Sequence, residues 1–206
     1  FPTRRSSDLL SSEYSFYLQE DWDNSGFQIG NYEDEVGGIL LALDLTVDSI
    51  NYAIQNNINC ILTHHPLFFE KIQNLQVNSD LYKKLELLMQ NNVNVISIHT
   101  PLDFHPNGVN KFLADKCFLS NKEVFIDYKE GYCYGIIGSI ENDTFKNYLA
   151  KLKNSFKFPM LYYGNTDNII SKIAVLGGSG AFSIKNAISK KADLLISNLT
   201  DRKSVV

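Results

Sequence analysis

Every histidine of the chain lies in one of two short clusters, Thr63-His64-His65-Pro66 and His99-Thr100-Pro101-Leu102-Asp103-Phe104-His105-Pro106. Imidazoles with a carboxylate among them are the donors of a metal site; without thiolates they suit Zn, Fe, Mn, Co or Ni rather than a structural cysteine-zinc centre. Adjacent histidines leaving a strand point their rings in different directions, so a single ion would waste one of them. Two ions about 3.5–4 Å apart use both. The expectation is therefore that His64 binds one divalent ion and His65 the other, with Asp103 as a carboxylate ligand. His99 is either a further ligand or, as the preferred reading, has a catalytic part, orienting Asp103 or a substrate. His105 is either a further ligand or a surface-loop histidine beside Pro106. Asp44 is either a ligand or the cap of the next helix.

These groups need strands to carry them. Cys60-Ile61-Leu62 leads into the first cluster and Val93 to Ile98 into the second. Gly38 to Leu43 is an apolar run typical of a strand buried on both faces. Between the three runs lie two helical patterns. Thr46 caps Val47, Ile50, Ala53 and Ile54, and Ser79 caps Leu81, Leu85, Leu88 and Met89; Asn56-Asn57 and Asn91-Asn92 end them. Such β-α-β crossovers are parallel and right-handed. Both histidine clusters then emerge at the carboxyl edge of one sheet, where α/β proteins place their ligand crevice.

Pro101 and Pro106 exclude a regular helix through the second cluster, and Asn107 caps a short helix bearing Val109, Phe112, Leu113 and Cys117. Around Ser120-Asn121-Lys122 the pattern pauses, which divides a first lobe, residues 9–120, from a second, residues 121–200. The second reads as a strand from Tyr132 to Ile140, a helix with Phe145, Tyr148, Leu149 and Leu152, an extended Phe158–Tyr163, a strand from Lys172 to Leu176, a helix with Ile184, Ala187 and Ile188, and a strand from Asp193 to Ile196. Gly177-Gly178-Ser179-Gly180 offers N–H groups to an anion, or simply allows a close backbone approach; it is neither a Walker A motif nor G-x-G-x-x-G. Leu9 to Glu20 suggests a short helix. Asp21 to Gly30, with the only tryptophan, is either a tight turn anchored by a buried Trp22 or a polar loop lining a site, followed by a Phe27/Ile29 strand.

At 206 residues the chain can bury a sizeable core. A net charge of −4 argues against a broad nucleic-acid footprint. No apolar run approaches the roughly 20 residues that span a bilayer. Cys60, Cys117 and Cys133 are odd in number and lack C-x-x-C spacing, which points to a reducing compartment, with the cytoplasm as default. Residues 1–8 and 201–206 carry no structural period and are expected to be non-native tails.

Taken together, Trp22-Asp23-Asn24-Ser25-Gly26-Phe27-Gln28-Ile29-Gly30, Leu43-Asp44, Thr63-His64-His65-Pro66-Leu67, the His99–Pro106 stretch with Gly108 and Asn110, and Ala174 to Gly180 with Ala192-Asp193 resemble the GTP cyclohydrolase 1 type 2 homologs, the NIF-three-like family, in their short bacterial form. The motifs run in order over about residues 10–197. The resemblance implies two intertwined α/β lobes with parallel or mixed sheets flanked by helices, a two-metal site, and a ring-shaped homo-oligomer, often a hexamer. It carries over His64, His65 and Asp103 as metal ligands. It further implies opening of the imidazole ring of GTP or hydrolysis of a related nucleotide. Two departures stand out. Ser25 replaces the usual Val, and the family's further His and Glu ligands, expected beyond the last strand, are absent before the tail, so this site is expected to be incomplete. The alternatives to a metal-dependent hydrolase of a small nucleotide-like molecule are a metal-binding regulatory or adaptor protein without turnover, and nucleotide binding through Gly177–Gly180.

Overall fold

A computed structural model of the chain describes residues 14–129 and 131–198. The two expected tails, and the first half of the helix expected over Leu9–Glu20, lie outside the described residues; the remainder of that helix is a single 3₁₀ turn, Phe16–Leu18. The chain divides after Leu102 into two compact units. Each is built on one four-stranded mixed sheet.

The first unit contains β1 (Gly26–Ile29), β2 (Ile39–Ala42), α1 (Val47–Gln55), β3 (Cys60–Thr63), α2 (Asp80–Gln90) and β4 (Asn94–Ser97). Its strand order is β1-β4-β3-β2, with β2, β3 and β4 parallel and β1 antiparallel to β4. The two β-α-β units of the sequence are thus present. Thr46 caps α1 by accepting from Ser49 N–H, while the Ser49 hydroxyl accepts from Thr46 N–H. Ile50 and Ala53 of α1, Leu88 of α2, and Ile61 and Val95 of the sheet pack into one core. Burying such side chains stabilises by about 1.5–3 kcal/mol each, and that packing holds the strand ends in place. The register sets Ala42 beside Thr63 and Thr63 beside Ser97. Hence the residues just past β3 and β4 leave the sheet as neighbours.

Directly after β4 comes α3 (Thr100–Phe104), where the two prolines had argued against a helix. Pro101 sits in its first turn, whose N–H groups have no partner within a helix, so the missing donor costs nothing.

The second unit contains α4 (Val109–Lys116), β5 (Ser120–Asp127), β6 (Cys133–Thr144), α5 (Phe145–Phe156), β7 (Ile169–Ser179), α6 (Ile184–Ser189) and β8 (Leu194–Asn198), in the sheet order β5-β6-β7-β8. Only β7 and β8 are parallel. The boundary falls earlier than Ser120 because Ala114 and Cys117, at the end of α4, pack with Phe145, Tyr148, Leu149 and Val175. β5 was missed as a strand because most of it is exposed and lacks apolar alternation. Gly108, not Asn107, caps α4. The glycine run is the end of β7 and its exit. Gly177 N–H is taken by Asn110 Oδ1 at 2.7 Å, and a Cβ on Gly180 would lie 2.5 Å from that of Ser197. Close approach accounts for Gly177 and Gly180, and Gly178 stands at φ +74°, a left-handed conformation that favours glycine.

No helix among the described residues is long and apolar enough to cross a membrane. The three cysteines are buried and unpaired, and burial pushes the thiols of Cys60 and Cys117 up to about 11 and about 12. They are structural rather than reactive.

Candidate metal centre

His64, His65 and His99 converge in the first unit. Each offers a donor atom, and the three atoms lie within 4.8 Å of one another. Ring centroids are 4.9 Å apart for His64 and His65, 5.2 Å for His64 and His99, and 5.5 Å for His65 and His99. The rings of the histidine pair therefore do not diverge as strand alternation would have them. β3 ends at Thr63, and a bend carries both residues. Buried Thr63 and Ser97 share a 2.7 Å hydrogen bond between their hydroxyls, and Thr63 also donates to His65 O, which ties the bend to the neighbouring strand end.

The hydrogen bonds of the three rings settle which nitrogen each presents. His64 Nδ1 lies 2.9 Å from Ile98 O, His65 Nδ1 2.7 Å from Asp44 Oδ1, and His99 Nδ1 2.9 Å from Asp23 Oδ1. Carbonyl and carboxylate oxygens only accept, so Nδ1 donates in each ring, which leaves Nε2 as the nitrogen a ring can offer to a metal. That is the outer-sphere arrangement characteristic of metal-binding histidines. Burial, reinforced by the charges His99 and His65 would carry, pushes the His64 imidazole down to about 4 against the opposing pull of Ile98 O and Asp23. His64 is therefore neutral at pH 7 and has no proton to displace. The donor set present fits a divalent transition metal such as zinc.

The two carboxylates differ in setting. Asp44 and His65 are both exposed, with 59% and 47% of their side chains accessible, whereas Asp23 is at 0% and His99 at 13%. Burial alone would raise the Asp23 carboxyl, but hydrogen bonds from His99, Thr100 and Ser25 hold it well below the usual carboxylate range. Ser25, the departure noted in the sequence, is buried, accepts from His99 N–H and donates to Asp23 Oδ2. A valine could do neither.

The Asp21–Gly30 stretch is thus a polar loop of the site rather than a turn on a buried tryptophan, since Trp22 is 57% exposed. Trp22 and Phe69 stand edge-on to His99, at 5.7 and 5.8 Å between centroids. Beside them Asp23, Asn24, Phe68 and Phe69 line an open cleft of about 480 Å³. Sequence reasoning named Asp44 and passed over Asp23; the signal available was the sole Trp followed by Asp-Asn-Ser-Gly.

Asp103 lies in α3, and its backbone carbonyl accepts from Asn110 Nδ2 at 2.6 Å. His105 Nδ1 accepts from Asn107 N–H, and its ring meets Tyr132 edge-on. Neither residue belongs to the three-histidine group.

A family model described as Duf34/NIF3 (NGG1p interacting factor 3) matches residues 3–201. The chain belongs to the Duf34/NIF3 family. A Clostridium acetobutylicum protein named GTP cyclohydrolase 1 type 2 homolog is 34% identical over 188 residues, covering 89% of this chain and 70% of its own. A protein of the same name from Staphylococcus epidermidis is 38% identical over 148 residues, where the chain spans only 39% of the relative's length. Among solved structures, Staphylococcus aureus protein SA1388 superposes with a TM-score of 0.87 at 26% identity, over 96% of this chain and 79% of that one.

Proposed function

We propose that this family member is a dinuclear metal-dependent hydrolase acting on a nucleotide or related heterocycle, with His64 and His65 as metal ligands. The observation that carries the reading is the convergence of three imidazoles, each with Nδ1 committed to an acceptor. His99, between Asp23 and the other two rings, is either a third ligand or the group that orients the substrate. Asp103 is retained as the carboxylate ligand on its place in the sequence, four residues after His99. Bound divalent ions would supply Lewis acidity and a water acidified towards neutrality. The protein's own part is to hold the imidazoles in place and to seat a small molecule in the adjoining cleft, whose volume is in the range of ligand sites. The relatives' name makes GTP, with opening of its imidazole ring, the first substrate to try.

The test is metal content and turnover of the full chain. In the intact protein that carries the further His and Glu ligands, two ions per chain and metal-dependent consumption of GTP, both lost in His64→Ala, support the reading. Metal-free protein with full activity overturns it. The proposal includes a cytoplasmic setting, in keeping with three buried thiols, and a ring-shaped homo-hexamer; light scattering should then give six times the 23.4 kDa chain mass. A second reading, a metal-binding regulatory or adaptor protein, is favoured by the family description as an interacting factor. Saturated metal with no turnover across a nucleotide panel would support it.

A further inference from the structure

We infer that Asp23 is a positioning residue that fixes His99 as an Nε2 donor, and that only a carboxylate serves at this place. The consequence for metal rests on the proposed metal centre; the geometry does not. Each oxygen of this buried side chain accepts from a backbone N–H, Oδ1 from Asn24 at 2.7 Å and Oδ2 from Thr100 at 3.1 Å. Oδ1 also takes His99 Nδ1–H, and Oδ2 takes the hydroxyls of Ser25 and Thr100. All of these groups donate, and a backbone N–H has no other role to adopt.

An asparagine here must aim its NH₂ at one of the two backbone donors, whichever way it turns. The Ser25 and Thr100 hydroxyls already accept from the N–H groups of His99 and Glu20, which directs their own protons at Oδ2. To accept from an amide NH₂ both hydroxyls would have to turn their protons away from Asp23, whereas His99 becomes an acceptor by moving a proton within its ring. The amide therefore settles with its oxygen at the Oδ2 position and its NH₂ towards His99 Nδ1. The ring proton moves to Nε2, the atom otherwise offered to metal. His65 is not bound to its partner in the same way, because the Asp44 pair is exposed and water can take the place of either member.

Nitrogen-15 NMR of the imidazoles in the metal-free full chain, together with zinc titration, tests this. The wild type should show His99 protonated on Nδ1. Asp23→Asn should move that proton to Nε2 and weaken zinc binding by about 10- to 100-fold. Ser25→Ala removes a donor but leaves the carboxylate, and should keep both the tautomer and most of the affinity. A wild-type His99 protonated on Nε2 overturns the assignment, as does a folded Asp23→Asn that keeps the wild-type tautomer and affinity. So does a Ser25→Ala that behaves like Asp23→Asn. Should Asp23→Asn fail to fold, the wild-type tautomer decides. If zinc does not bind while the tautomers behave as stated, the metal reading fails and the positioning role stands.

Discussion

The carboxyl edge of the first sheet and that of the second are made of similar parts and do different work. In the first, β3 and β4 are parallel neighbours in register, and both lead into imidazole. In the second, β7 and β8 are also parallel neighbours, but β7 runs out into glycine, closed down on the side chains of Asn110 and Ser197. Adjacent parallel strand ends supply only proximity. Donor side chains held in one tautomer turn that proximity into a site, and glycines turn it into packing. Asp23 and Asp193 differ in the same way: among the described residues Asp193 accepts from Ser171 and Lys172 of its own unit's sheet, whereas Asp23 adds an imidazole to its backbone donors.

The largest effect expected from breaking this contrast is on metal. Replacing His64 and His65 together with alanine should abolish zinc retention by equilibrium dialysis, whereas His105→Ala, outside the three-histidine group, should leave it intact. Retention by the double variant would place the metal elsewhere. Gly180→Ala tests the other edge. The added Cβ meets Ser197, and overpacking of this kind costs about 1–3 kcal/mol, read as a lower urea midpoint. Zinc stoichiometry should not change.

A pH series sharpens the part played by Asp23. Its carboxyl is held below the usual range in the folded chain, so its contribution is complete above the unfolded value, about 4, and is lost as pH falls through the folded one. The stability gap between wild type and Asp23→Asn should therefore narrow on acidification; a gap that widens contradicts the hydrogen-bond assignment. The smallest effect belongs to the α1 cap. Thr46→Ala should cost about 1 kcal/mol and leave zinc affinity unmoved, because it loosens a helix end without touching the donors.

Much of the first unit was legible in the sequence. The apolar runs and the Thr46 and Ser79 caps mark both β-α-β units, and parallel topology alone brings the histidine clusters to one edge of the sheet. The partnership of Asp23 with His99 was not legible, because it joins residues 76 apart and its local signature reads equally well as a turn. β5 escaped for want of alternation, and α3 because Pro101 was weighed as a breaker without regard to its place in a first turn. The direction of the His64 and His65 rings was misjudged by carrying strand alternation past the end of β3 into a bend. In each case the deciding term was a tertiary contact or a boundary of one residue, which local pattern does not encode.

Zinc-edge X-ray absorption on the metal-loaded full chain tests the central claim most directly. The account predicts imidazole scattering with nitrogen or oxygen neighbours at about 2.0–2.2 Å, lost in the His64→Ala, His65→Ala double variant. Sulfur neighbours near 2.3 Å, or an unchanged spectrum in the double variant, would contradict it.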